Sequence, residues 1–302
     1  MNNAMPTPKK YYTHAGVFHA DEITGYAICV CAGAVSGTED SVIRLTDLTN
    51  IPDDGIVADI GREHNPEELR FDHHQGFFLR DNGYPLASAG MLWKAFGEEA
   101  VAQVAYQGTH PPGEDLKFIA DRVDETLIQG IDAHDADSTY KVTATCSAGT
   151  VRINTLSNII ASLNQDNDHD QPFAWFDAYR ICRRVLEAHI WAAYRHLKAV
   201  RKFDSVVTPK LGGEVLVLAE GLPWKEIVHE KYPDAAFVIA PSNHPGSPYS
   251  MIAVPFTPDS RKVKVPIGRP EWFDGFIHQG QWIAGGTSVD ELLRLAEENL
   301  QV

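Results

Sequence analysis

The chain has 302 residues, 44% hydrophobic and 22% charged, which excludes a disordered chain and suits two globular domains better than one. No apolar run approaches the ~20 residues of a membrane-spanning helix, and four cysteines (Cys29, Cys31, Cys146 and Cys182) make no disulfide framework. A net charge of −15 excludes coating of nucleic acid by bulk electrostatics, so a polyanionic substrate must be held by local cations or by metal.

The opening Met1-Asn2-Asn3-Ala4-Met5-Pro6 carries no apolar signal core, which predicts a cytoplasmic protein. Residues 10–14 read as a short strand of β-formers. A helix is predicted from Asp21 to Ala34, with Ile23, Ala27, Val30 and Ala34 on one face. Val42 to Leu45 is a second strand, and Gly55 to Ile60 a third with the continuous apolar character of a strand buried on both faces. Leu69-Arg70-Phe71 leads into a loop, and residues 86–107 and 114–131 read as helices. This alternation predicts βαβ units and a mainly parallel sheet, whose ligands sit beyond the carboxyl ends of the strands. His14 and Asp59 both fall there.

Residues 164–172 are the most polar stretch and mark a boundary. A long helix follows over 173–203, with seven basic residues and one acid, Glu187, between positions 180 and 202. That run suits either a solvated face or a cationic wall for a phosphate chain. Strands are predicted over 214–219, 236–240 and 251–254, and a final helix over 289–300 capped by Ser288. The organisation is thus a metal-binding domain over 1–168, a linker helix over 169–205 and a smaller α/β domain over 206–302.

Four clusters carry chemistry: His14 with His19, Asp21 and Glu22; Asp59; Asp72-His73-His74; and Asp132 with His134, Asp135 and Asp137. Imidazole with carboxylate suits manganese, zinc or iron, and the lack of thiolate argues against a closed structural zinc site. The ligands are too many for one tetrahedral ion. Two ions about 3.5–4 Å apart, sharing one carboxylate, fit the inventory better. The fourth cluster lies at a predicted helix C-terminus, where the helix dipole disfavours carboxylates. A metal or a nearby arginine would remove that conflict.

Three further segments complete a pattern. The motifs read Thr13-His14-Ala15-Gly16-Val17-Phe18-His19-Ala20-Asp21-Glu22, Asp59-Ile60-Gly61, Arg70-Phe71-Asp72-His73-His74-Gln75 and Ile131-Asp132-Ala133-His134-Asp135. Leu222-Pro223-Trp224-Lys225-Glu226, Phe276-Ile277-His278 and Gly285-Gly286 follow in the second half. Together they resemble the DHH phosphoesterase superfamily, and within it the melanocyte-proliferating-gene family. Two departures stand out: Asp135-Ala136-Asp137 where that family has Asp-Asn-Gly, and Thr287 where it ends Gly-Gly-His.

The resemblance implies a DHH-type parallel-sheet domain joined by a long helix to the smaller domain, with the active site in the cleft. It implies that His14, His19 and Asp59 hold one divalent ion. Asp21, Asp59, His73 and one of Asp132 or Asp135 would hold the other, with Asp132 preferred and Asp59 bridging. Manganese comes first, with zinc, iron or magnesium as alternatives. Asp72 would fix an imidazole tautomer, and His74 would face the scissile phosphate as donor or general acid. Lys225, His278 and the backbone amides of Gly285 and Gly286 would grip substrate phosphate or carboxylate. The expected activity is phosphodiester hydrolysis, as a 3′-to-5′ exonuclease on short RNA or DNA. A phosphohydrolase of pyrophosphate, a nucleotide or a cyclic dinucleotide stays open, as does a non-catalytic metal- or nucleotide-binding protein. Expected partners are nucleic acid or a small phosphorylated substrate, no membrane, and a homo-oligomer is left open.

Overall fold

The computed structural model describes residues 9–166 and 171–301. The chain divides into two compact units, Met1–Tyr194 and Arg195–Val302. The boundary read at 168/169 lies outside the described residues.

The first unit runs β1 (Lys10–His14), α1 (Ala20–Cys31), β2 (Val42–Leu45), β3 (Gly55–Ala58), β4 (His64–Asn65) and β5 (Arg70–Phe71). It continues with α2 (Ser88–Tyr106), α3 (Gly113–Val123), α4 (Gln129–Ala136), β6 (Thr143–Cys146), β7 (Gly149–Arg152), α5 (Leu156–Ala161) and α6 (Gln171–Val206). Its main sheet has the order β2-β1-β3-β5-β4, parallel except for the edge strand β4. Every residue of β3 is buried, as its apolar run requires of a strand covered on both faces. Tyr11, Ile56 and Phe71 of the sheet, Ile23 and Ile28 of α1, and Met91 and Leu92 of α2 are all buried. Cys29 and Cys31 are buried core residues of α1, and none of the four cysteines is in a disulfide.

Two predicted elements end early, each for a local reason. The first helix stops at Cys31 because Gly33, at φ 73°, takes the left-handed position that ends a helix. The third strand stops at Ala58 because Asp59 turns to φ 61°. The helix read over 114–131 instead continues from α3 through a π-helical turn, Asp124–Ile128, into α4 and reaches Ala136.

Helix α6 has 36 residues, and the division between the units falls within it. Trp175, Tyr179, Cys182, Leu186 and Ile190 form its buried stripe in the first unit. In the basic run, read as either a solvated face or a cationic wall, Arg180 pairs with Asp177, and Arg183 and Arg184 both pair with Glu187. No helix among the described residues is long and apolar enough to cross a membrane.

The second unit contains β8 (Val207–Lys210), β9 (Val215–Leu218), α7 (Lys225–Lys231), β10 (Phe237–His244), β11 (Ser247–Ala253), β12 (Phe276–Ile277), β13 (Ile283–Gly286) and α8 (Val289–Leu300). Its sheet has the order β12-β13-β11-β10-β9-β8, with β9 and β10 parallel and the other neighbours antiparallel. One cluster joins Phe237, Ile239, Met251 and Ala284 to Leu292 and Leu295 of α8. Another joins Leu216 and Val238 to Ile227 and Val228 of α7. Ser288 caps α8 as predicted, its Oγ accepting from the Glu291 N–H at 3.1 Å.

Candidate metal centre

Parallel pairing brings the carboxyl ends of β1, β3 and β5 to one edge of the first sheet. His14 ends β1, Asp59 follows β3, and Asp72-His73-His74 follow β5. The first turn of α1 brings Asp21 and Glu22 to the same place, and the last turn of α4 brings Asp135. All of these side chains except Glu22 line a cavity of about 820 Å³, together with Arg62, Leu48 and Phe77.

Asp59 is the hub. Its Oδ2 lies 3.2 Å from His14 Nε2, while its Oδ1 lies 3.3 Å from His73 Nε2 and 3.5 Å from His74 Nδ1. His73 Nε2 is also 3.1 Å from Asp135 Oδ2. His14 Nδ1 sits 3.1 Å from the Ala15 carbonyl, an arrangement in which Nδ1–H donates and Nε2 stays free to act as a ligand. Glu22 accepts from the His19 backbone N–H at 2.8 Å through Oε2, and its Oε1 lies 3.5 Å from His14 Nε2.

Asp72 does other work. Its Oδ2 accepts from the Arg62 N–H at 2.6 Å, and its Oδ1 accepts from the His74 N–H at 3.1 Å. The same Oδ1 lies 2.7 Å from His74 Nδ1, which fixes that ring and leaves Nε2 as its outward nitrogen. His74 is exposed, whereas Asp72 is buried.

The electrostatics call for a cation. Asp21 and Glu22 are fully buried, and both oxygens of Asp21 and Oε1 of Glu22 lack a hydrogen-bond partner. Burial, with the charges of Asp59, Asp135 and Glu22, drives the Asp21 carboxyl well above its ordinary range. Burial pushes Glu22 to about 8, against the pull of His14. Burial opposes protonation of the two imidazoles, yet the carboxylates win: Asp59 and Glu22 lift His14 to about 9, and Asp135 and Asp59 lift His73 to about 10. Burial likewise works against the Asp59 anion, but His14 and His73 hold it below the usual carboxylate range. Buried carboxylates without partners cost several kcal/mol unless a cation or proton compensates them. A donor set of imidazole nitrogen and carboxylate oxygen fits a divalent metal.

Three groups have ligand atoms within 4.8 Å of one another: His14, His19, Glu22 and Asp59; Asp59, His73 and His74; and His19, Asp21 and Asp135. Asp59 belongs to two of them, and so does His19. The grouping differs from the expected one in detail, since Glu22 joins the first set and His74 stands with Asp59 and His73.

Asp132 is not in any of these groups. Its Oδ2 accepts from Arg80 at 2.7 Å and its Oδ1 from the Gly90 N–H at 3.0 Å, so both oxygens are engaged away from the cavity. The geometry therefore favours Asp135 over the preferred Asp132. The arginine that could relieve the acidic helix end is Arg80, whose guanidinium also grips Asp124 at 2.8 and 2.7 Å. Sequence reasoning missed Arg80 because its partners lie 44 and 52 positions away. Glu22 was visible in the motif but carried no role; its only local signal is the capping contact to His19.

The second-unit candidates are described within that unit. Lys225 opens α7, is exposed and lines a cavity of about 540 Å³ with Arg261 and Trp282. His278 Nδ1 accepts from the Gly280 N–H at 2.9 Å. Gly285 and Gly286 are buried strand residues of β13, where Gly285 pairs with Ser250 and Phe276. Lys264 and Arg269 bond to backbone carbonyls of their own unit.

The profile of the uncharacterised protein family UPF0160 (MYG1_exonuc) matches residues 10–300. A mouse (Mus musculus) protein called MYG1 exonuclease is 28% identical, covering 99% of this chain and 86% of its own. The human (Homo sapiens) protein of that name is 26% identical, over 97% of this chain and 86% of its own. A bacterial MYG1 protein, from Chlamydia muridarum, is 26% identical over 94% of this chain and 88% of its own. No solved structure matches significantly.

Proposed function

The chain belongs to the melanocyte-proliferating-gene family, UPF0160, and on that premise we propose that it is a metal-dependent phosphoesterase of the DHH type. Its substrate in this reading is short RNA or DNA, shortened from the 3′ end. The observation that carries the reading is the Asp59 carboxylate, set between His14 and His73 beside the buried, unpartnered acids Asp21 and Glu22. The exonuclease names of the mouse and human relatives support the same chemistry.

His14, His19, Glu22 and Asp59 would hold one ion, and Asp59, His73, Asp135 and Asp21 the other. Divalent ions held there, manganese first, would lower the pKa of water and offset charge on a phosphoryl oxygen. The residues divide the remaining work. His74, oriented by Asp72, carries a proton on Nε2 and delivers it to the leaving oxygen as the P–O bond breaks. The Asp72 carboxylate stabilises the imidazolium that this role requires. Arg62, on the cavity wall, supplies the one guanidinium lining the site among the described residues.

The test is a panel assay on purified, manganese-loaded protein. Stepwise shortening of a 5′-labelled oligonucleotide is the expected result. Release of phosphate from pyrophosphate or cleavage of a cyclic dinucleotide alone would move the chain to the small-molecule phosphohydrolases. A metal-replete protein inert on the whole panel would make it a binding protein.

A further inference from the structure

A second cavity, of about 410 Å³, adjoins the cavity of the candidate metal centre. His134 lines both cavities, and it is the residue before Asp135 in the last turn of α4. Its Nε2 lies 3.2 Å from Asn158 Nδ2, and its ring stands edge-on to Tyr140 at 5.6 Å. Beyond that wall the chemistry reverses. The metal cavity is lined by carboxylates, whereas the second is lined by none and holds two cations, Lys141 and Arg152. The β6–β7 hairpin and the residues flanking it build this lining: Thr143 pairs with Arg152 across the hairpin, and Lys141 lies two residues before Thr143. Neither cation has an ion-pair or hydrogen-bond partner among the described residues, and both are exposed. Thr143, Asn154 and Asn158 add hydroxyl and amide groups around them.

We propose that this pocket is a phosphate subsite for a single-stranded oligonucleotide, in which Lys141 and Arg152 hold the backbone one or more nucleotides beyond the metal centre. The inference rests on the hydrolase reading and adds to it the place where the flanking backbone is held. In a chain of net charge −15, a polyanion needs cations at defined places. An acid-lined metal cavity with one guanidinium provides for the phosphate being cut, not for its neighbours. A carboxylate-free pocket sharing a wall with that cavity provides for the next ones, and Tyr140 and His134 give a base edge or ring to rest on.

The test measures binding separately from cleavage. A fluorescein-labelled heptadeoxynucleotide with phosphorothioate linkages is titrated by anisotropy against manganese-loaded protein over a range of salt. Lys141→Ala/Arg152→Ala is compared with Lys117→Ala/Arg180→Ala, which removes equal charge from exposed sites elsewhere in the first unit. Metal content and far-ultraviolet circular dichroism check that the variants remain folded and loaded. The expected result is at least about tenfold weaker binding for the pocket variant at ~0.1 M salt, with a slope of log K against log salt shallower by about 1.4, two single-strand phosphate contacts. The control variant keeps the wild-type slope. Equal binding by wild type and pocket variant, an equal loss in the control, or no binding by wild type would each overturn the proposal. Binding that depends on the two cations, with no cleavage of the all-phosphate oligonucleotide, would uphold the subsite and sink the hydrolase reading.

Discussion

Backbone shape and chemistry meet at Asp59. A left-handed residue costs about 1–2 kcal/mol unless it is glycine, asparagine or aspartate, whose short polar side chains lessen the penalty. Here φ is 61°, and the turn swings the carboxylate off the strand so that one oxygen faces His14 and the other His73. The conformation and the proposed ligand role both point to aspartate. Two substitutions separate them. Asp59→Ala and Asp59→Gly should both lose bound metal and hydrolysis, while the glycine variant should be more stable than the alanine by about 1 kcal/mol. Elemental analysis and urea denaturation would show this; an alanine variant with full metal content would remove Asp59 from the bridge. His74 allows a second dissection. His74→Ala should keep its metal and lose about 10²–10⁴ in rate. Asp72→Asn should lose about 10–100-fold. The double variant should be no worse than His74→Ala, because Asp72 acts through that ring. Additive losses in single-turnover rates would mean Asp72 has a separate task.

At the scale of elements, the π-helical turn between α3 and α4 sets which acid reaches the metal cavity. Arg80 braces it, gripping Asp124 at the start of the turn and Asp132 one element later. Arg80 and Asp132 are buried, so Arg80→Ala strands a buried charge and should cost about 3–5 kcal/mol in urea unfolding. A loss below about 1 kcal/mol would show that the brace is dispensable. Gly90→Ala attacks the same joint from α2, since a Cβ there would collide with Asp132 Oδ2 and approach Arg80 to 2.8 Å. This joint also explains what the sequence could and could not show. Strands β1, β2, β3 and the helices α2 and α6 announce themselves by apolar runs or helical spacing, and the His and Asp clusters follow from strand ends. The choice between Asp132 and Asp135 rests on a π turn that shifts the helical register and on an arginine distant in sequence, and neither leaves a local pattern. The β6–β7 hairpin escaped for another reason. Almost all its residues are exposed, so no burial imposes the alternation that marks a strand. The same exposure leaves Lys141 and Arg152 open to a ligand.

For the molecule as a whole, the proposed metal centre would couple folding to pH and to cation supply. In the metal-free protein Glu22 is pushed to about 8, against ~4.3 in an unfolded chain, so the folded state holds a proton that the unfolded state releases. Its contribution to stability is present below about pH 4 and is lost as pH rises through 8. Asp21 acts in the same sense, being raised by burial. His14 at about 9 and His73 at about 10, against ~6.5 unfolded, add stability below pH 6.5 that is lost as pH climbs through those values. Asp59 runs the other way, because its depressed value adds stability above about pH 4 and loses it in acid. Between about pH 5 and 10 the raised groups outnumber it. The melting temperature of chelator-treated protein should therefore fall steadily across that window. A divalent ion bound there would replace the protons as the compensating charge, and ligand present at 100 times its Kd stabilises by about 2.7 kcal/mol. Melting curves taken with manganese should accordingly stay flatter over the same range and sit above the metal-free curves, most widely at the alkaline end. A metal-free protein whose melting temperature rises from pH 5 to 9 would mean that these acids and imidazoles do not converge as the distances say.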